Sequence, residues 1–489
     1  MGDATSRAEM KQTASCDWYL LTVRLASHPG EGIRRVGALV TNRWFLASVL
    51  LCIAVSSPIR MFPDSGGYLT TGADAFGQFS FTGKGIRAWP TVLLFRLGPT
   101  VGVLLQYVIY FVAVALLLRV FARLTSGRIR TCLLVGLMLL LLNRNTVQWH
   151  SIVLSESLTL SMTLVGIALF FSFVLDKPRL LHGLTAIVFA GLMVVNRPTM
   201  VPLFLLISVT ILIVQFRRGR RLSALILSLL AVVSLSYATI VNHNIDNFWS
   251  QGSSGFTRSS VSFVFLTADD IPAHPLAPRA RQWPSDVLFW ALVEDAGVPP
   301  CLTSIRSSWI DCPYCFQQEI ADSCPRDVVW INEEFSTWYA KLLVSRLDRT
   351  MLMSALSLGF DASKESRYAF PWSPVPPLIE KMFTGAKYPI PIPPLPLWFG
   401  AVMVAMAKRA VVRRSRPAAG IAGDRGRFAT VWLTLVASTL SVMIPTVVLP
   451  AELDRTASSA MVGIYVSLLL LLALILQSAG SDGSAASNE

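Results

Sequence analysis

Ten apolar runs punctuate this chain, near residues 40–59, 100–121, 131–149, 157–175, 181–196, 199–216, 223–242, 391–407, 428–449 and 457–477. Crossing ~30 Å of hydrocarbon takes roughly 20 apolar residues in helical form. The pattern therefore predicts an all-α polytopic membrane protein with about ten transmembrane helices, the first and fifth of them short or interrupted. The polar stretches between the runs set the organisation. Residues 1–39 form a cytosolic lead whose Trp18-Tyr19-Leu20-Leu21 patch suits an amphipathic helix lying on the membrane. Residues 40–243 hold spans one to seven, with a first external loop at 60–98 that is expected to carry surface-lying helices.

A long hydrophilic stretch at 244–388 interrupts the spans and forms the expected extracytoplasmic loop domain. It is rich in aromatic residues and proline, which argues for an ordered unit rather than a linker. Its Trp283, Trp290, Trp309, Trp330 and Trp338 suit either an acceptor-binding surface for sugar rings or a core of buried tryptophans. Spans eight to ten occupy 389–477, and Pro389, Pro391, Pro393, Pro394 and Pro396 hold the approach to span eight extended. The tail, 478–489, is small and polar and is expected to be disordered. No internal repeat of fixed period is visible, which disfavours transporter folds built from duplicated halves.

Composition agrees with this division. With 489 residues, 53% hydrophobic and only 15% charged, and a mean hydropathy of +0.56, the chain is too apolar for an ordinary soluble protein. The net charge of +13 raises the question of a nucleic-acid partner, but its placement argues against one. Basic clusters recur at every second membrane boundary: Arg34 and Arg35 before span one, Arg119 to Arg130 between spans two and three, Lys177 and Arg179 after span four, Arg217 to Arg221 after span six, and Lys408 to Arg427 after span eight. Assigning these to the cytoplasm by the bias of Lys and Arg toward the inside predicts a multi-pass plasma-membrane protein with both termini cytoplasmic. The polar or mixed first 40 residues make span one an uncleaved anchor.

The same assignment places Cys301, Cys312, Cys315 and Cys324 outside, where four thiols within 24 residues favour disulfides, with three pairings open. Zinc suits them less, since only Cys312-Pro313-Tyr314-Cys315 is a close pair. That tetrapeptide also matches the active-site sequence of glutaredoxins, but no strand-helix-strand pattern surrounds it.

Candidate chemistry gathers at the outer boundaries. Phe62-Pro63-Asp64-Ser65-Gly66-Gly67-Tyr68 puts a carboxylate where span one ends, and an acid at the edge of hydrocarbon is costly enough to mark a functional site. If residues 64–76 form a surface helix, Asp64 and Tyr68 share a face, and the glycines admit a close-lying substrate. The alternative is that Asp64 simply caps that helix. Lys84 and Arg87 close the same loop and can grip an anion. Between spans three and four, Asn143-Arg144-Asn145-Thr146-Val147-Gln148-Trp149-His150 leads to Glu156, which either converges on Asp64 or compensates a helix dipole. Arg197 and Arg455 each lie at an outer interface, where snorkelling is the ordinary role. Taken together, Lys84, Arg87, Arg197 and Arg455 run against the inside bias, as a phosphate site facing outward requires.

In order and spacing, Asp64-Ser65-Gly66-Gly67-Tyr68, Arg87-Ala88-Trp89-Pro90, Ser155-Glu156-Ser157-Leu158, Arg197-Pro198 and Asp454-Arg455 resemble the GT-C superfamily of integral membrane glycosyltransferases. Its members include protein O-mannosyltransferases, aminoarabinose transferases of lipid A, and mycobacterial arabinosyl- and mannosyltransferases. The resemblance implies inverting transfer of a sugar from a polyprenyl-phosphate donor to an extracytoplasmic acceptor. It gives Asp64 the place of the first-loop catalytic acid, Glu156 that of the second-loop acid, and Lys84 or Arg87 that of the phosphate-binding base; by their outward placement Arg197 and Arg455 join the expected donor-phosphate site, and Tyr68 and His150 are the expected substrate contacts. Asp64 is followed by Ser65 where the protein mannosyltransferases carry paired acids, so the acceptor class stays open among glycan, lipid and protein. No cofactor is expected, and a divalent cation has no support because the loop lacks an Asp-x-Asp pair. The competing class is a transporter or flippase for a lipid-linked glycan, disfavoured by spans nearly free of ionisable groups.

Overall fold

The computed structural model describes residues 42–56, 59–61, 65–73, 88–142, 144–176, 179–252, 395–414, 421–448 and 458–484. Hydrocarbon offers a backbone no hydrogen bonds, so a chain of long apolar runs satisfies its peptide groups within helices. Each of the ten runs does coincide with a helix among the described residues: α1 (Arg43–Ser56), α4 (Pro99–Leu124), α5 (Gly127–Leu141), α6 (Ser155–Phe171), α7 (Leu180–Asn196), α8 (Val201–Arg217), α9 (Arg221–Gly252), α10 (Leu395–Arg414), α11 (Ile421–Val448) and α12 (Ser458–Ser484). Two further helices, α2 (Ser65–Ala73) and α3 (Trp89–Phe95), belong to the first loop.

Among the described residues six helical segments are long and apolar enough to cross a membrane, those of α4, α6, α8, α9, α11 and α12, which makes this a membrane protein. The apolar parts of α1, α7 and α10 are shorter. Helix α12 continues to Ser484, past the polar boundary at Ser478. The stretch 244–388, expected to be extracytoplasmic and holding Cys301, Cys312, Cys315 and Cys324, falls outside the described residues from 253 onward.

Helix α6 is the axis of the bundle. All its residues from Ser155 to Phe171 are buried, against α4, α7 and α12. Its hydroxyls are satisfied locally, Thr159, Ser161 and Thr163 each donating to the carbonyl four residues back, so a polar sequence stays compatible with an apolar surround. Helix α9, in contrast, is largely exposed along its apolar length. Small residues set the closest approaches: a methyl group on Gly191 would lie 2.9 Å from Ser234 Cβ, and one on Gly463 2.7 Å from Ser438 Oγ. Such contacts let membrane helices pack without a hydrophobic drive between them.

The third run, expected to be helical over 131–149, breaks early. Helix α5 stops at Leu141, and the chain continues through one helical turn, Arg144–Val147, and a 3-10 turn, Gln148–Ser151. Side chains take over the carbonyls that the broken helix leaves open: Thr146 Oγ1 donates to Leu140 O at 3.2 Å and the Tyr110 hydroxyl donates to Leu141 O. This break is what allows residues 148–154 to fold back across the head of α6.

Candidate functional site

The first loop is fastened to that fold-back. Arg60 and Ile152 form a parallel bridge, with Arg60 N–H donating to Ser151 O at 3.0 Å and Val153 N–H to Arg60 O at 3.2 Å. Five residues after Arg60, Ser65 is buried and its hydroxyl donates to Val153 O at 2.9 Å. Helix α2 thus starts at Ser65, directly after Asp64 in the chain, tied to the segment that leads into Glu156. Tyr68, the proposed partner on the Asp64 face, is buried in the core.

Three side chains from three other helices grip consecutive parts of this turn. Ser65 from α2 holds Val153 O, Gln106 from α4 donates through Nε2 to Leu154 O at 3.2 Å, and Ser459 from α12 donates to Glu156 O at 3.4 Å. The start of α6 is therefore positioned by hydrogen bonds from around the bundle, not by apolar packing alone. Neutral hydrogen bonds contribute about 1 kcal/mol each net, but their directionality fixes the rotation of α6 and hence where Glu156 points.

Glu156 lies in the first turn of α6 and is 1% exposed. A carboxylate there benefits from the helix N-terminus, and it is also bonded by the Arg197 guanidinium. Arg197 follows the last turn of α7 in extended backbone and keeps 21% of its side chain accessible. Its shoulder is fixed on both sides, by its own N–H to Met193 O at 2.9 Å and by Met200 N–H to its carbonyl at 3.1 Å. The neighbouring Asn196 is held in turn by Thr91 of α3 at 3.2 Å. Two of the acids and cations singled out in the sequence are thus joined directly, across 41 residues.

His150 is fully buried behind the same turn. Its Nδ1 is 2.6 Å from Ser157 Oγ, its ring centroid lies 3.9 Å from that of Tyr110 and 5.7 Å from that of Tyr107, and Nε2 has no hydrogen-bond partner among the described residues. It touches these side chains rather than open space. A protonated ring would have nowhere to place its second N–H, and burial pushes the His150 pKa down to about 3. The ring is therefore neutral at physiological pH. Because the unfolded chain binds this proton near pH 6.5 and the folded chain does not, stability is fully present above that pH and falls as pH drops toward about 3. The expected slope approaches 1.4 kcal/mol per pH unit in that window. Thermal unfolding of wild type and His150→Gln in detergent between pH 4 and 7 checks it: the variant should lose part of the acid sensitivity, and identical slopes would contradict the assignment.

Asp64, Lys84, Arg87 and Arg455 lie outside the described residues. Among the described residues no group of three or more His, Cys, Asp or Glu is placed to hold a metal ion. Sequence reasoning did not single out Gln106, Ser65, Ser459 or Arg60. Gln106 carried a usable signal, a polar residue well inside an apolar run; the two serines carried none. Comparison with protein-family models, curated proteins and solved structures finds no match for this chain.

Proposed function

We propose that this chain is an inverting glycosyltransferase that moves a sugar from a polyprenyl-phosphate donor to an acceptor outside the cytoplasm. One observation carries the proposal: a buried carboxylate, Glu156, paired with a partly accessible arginine, Arg197, at the end of the bundle where the first loop is fastened. Taking two charges out of water costs several kcal/mol per ion before their attraction is counted, so such a pair inside an apolar bundle is a functional-site hypothesis by default. The loop sequence supplies the remaining groups, Asp64 immediately before the tethered Ser65, and Lys84, Arg87 and Arg455 as further cations.

In the reaction these residues suit, the acceptor hydroxyl oxygen attacks the anomeric carbon from the face opposite the phosphate. The sugar C–O bond to phosphate breaks, its electron pair leaves with the polyprenyl phosphate, and Asp64 takes the hydroxyl proton. A phosphate neutralised by cations is already a competent leaving group, so no general acid is required. The base plays the part that water-activating carboxylates play in inverting glycosidases.

Purified protein in proteoliposomes, supplied with a panel of radiolabelled polyprenyl-phosphate sugars and membrane-fraction acceptors, tests this. Sugar transfer with inversion at the anomeric carbon and release of polyprenyl phosphate is expected. Translocation of intact donor with no transfer would replace the proposal with a flippase.

A further inference from the structure

The resting geometry and the proposed reaction conflict at Arg197. A guanidinium that serves a phosphate must turn its N–H fork to the anion, and an acid that serves an incoming hydroxyl must be reachable. Neither condition is fully met here: the arm gives an N–H of Nη2 to Glu156, and Glu156 is 1% exposed. Yet Arg197 is set up to change partners without refolding anything. Its backbone is anchored to Met193 and Met200, it stands in extended conformation between α7 and the Pro198–Met200 turn, and only its flexible side chain spans to α6.

We infer that the Glu156–Arg197 pair is a latch opened by a prenyl-linked phosphate. The phosphate and the Glu156 carboxylate compete for one guanidinium, so donor binding draws Arg197 outward and uncovers Glu156 as a hydrogen-bond acceptor that positions the incoming hydroxyl, whose proton Asp64 takes. This rests on the transferase proposal and adds an obligatory order to it, donor before acceptor.

Binding of farnesyl phosphate and of inorganic phosphate to the full-length protein in detergent, measured by titration calorimetry, separates the possibilities. Glu156→Gln removes the competing charge and should tighten farnesyl phosphate binding by about tenfold, whereas Arg197→Gln should abolish most of it. Should Glu156→Gln fail to fold, Glu156→Asp, which keeps the charge on a shorter arm, should bind about threefold tighter than wild type. Equal affinity in the folded Glu156 variants overturns the latch and leaves the transferase proposal standing. Tighter binding in those variants, with no sugar transfer by wild type, removes the transferase proposal and keeps the latch. Inorganic phosphate binding as tightly as farnesyl phosphate would overturn the lipid-linked source and assign the arginine to free phosphate.

Discussion

Replacing Asp64 with asparagine should slow sugar transfer by ~10²–10⁴-fold, the usual contribution of a positioned general base. Asparagine matches aspartate in size and can still hold an acceptor hydroxyl in place, but it cannot take the proton. The loss should therefore fall on the turnover rate more than on acceptor affinity. Folding should survive, because the fastening of this loop uses other atoms. Arg60 pairs with residues 151–153 through its backbone, and the Ser65 hydroxyl reaches Val153. Transfer rates in proteoliposomes, with thermal unfolding of the same preparation as the control, check both halves. A variant that transfers at the wild-type rate would remove Asp64 from the mechanism.

A second large effect is expected on stability. Arg197→Ala leaves Glu156 buried at the head of α6 without its guanidinium, and removing one partner of a buried ion pair typically costs 3–5 kcal/mol. Arg197 keeps some contact with solvent, so the expected loss is smaller, about 2–3 kcal/mol. Glu156→Gln should cost only about 1 kcal/mol, since the amide still accepts from Arg197 and the charge left without a counter-ion is the partly accessible guanidinium rather than a buried carboxylate. The asymmetry is the diagnostic feature. Thermal unfolding in detergent should rank wild type first, Glu156→Gln next and Arg197→Ala last, and the reverse order of the two variants would mean that the pair contributes nothing as a pair.

The helices were legible because the constraint that makes them is severe: apolar runs of this length have one way to satisfy their backbones in lipid. Hence α4, α6, α8, α9, α11 and α12 stand close to where the hydropathy pattern puts them. Their ends were less legible. The stop of α5 at Leu141 depends on Tyr110, a residue 31 positions away whose hydroxyl takes over a terminal carbonyl, and no local signal announces it. The candidate site divides in the same way. Asp64, Glu156 and Arg197 stood out as charges at hydrocarbon edges, a property of single positions. That Glu156 and Arg197 pair with each other, and that Gln106, Ser65 and Ser459 fix the turn between them, depends on how α2, α4, α7 and α12 meet around α6. Ser65 and Ser459 are ordinary serines until that packing gives them carbonyls to bond.

The proposed transfer requires this end of the bundle to face away from the cytoplasm. Gly66 offers a direct reporter, since it is exposed at the start of α2 and a side chain added there meets nothing within 4 Å. Cells carrying Gly66→Cys can be treated with a membrane-impermeant maleimide, and the peptide containing residue 66 read by mass spectrometry. Labelling in intact cells is predicted; labelling that appears only after the membrane is permeabilised would put Asp64 and Glu156 on the cytoplasmic side and contradict the mechanism.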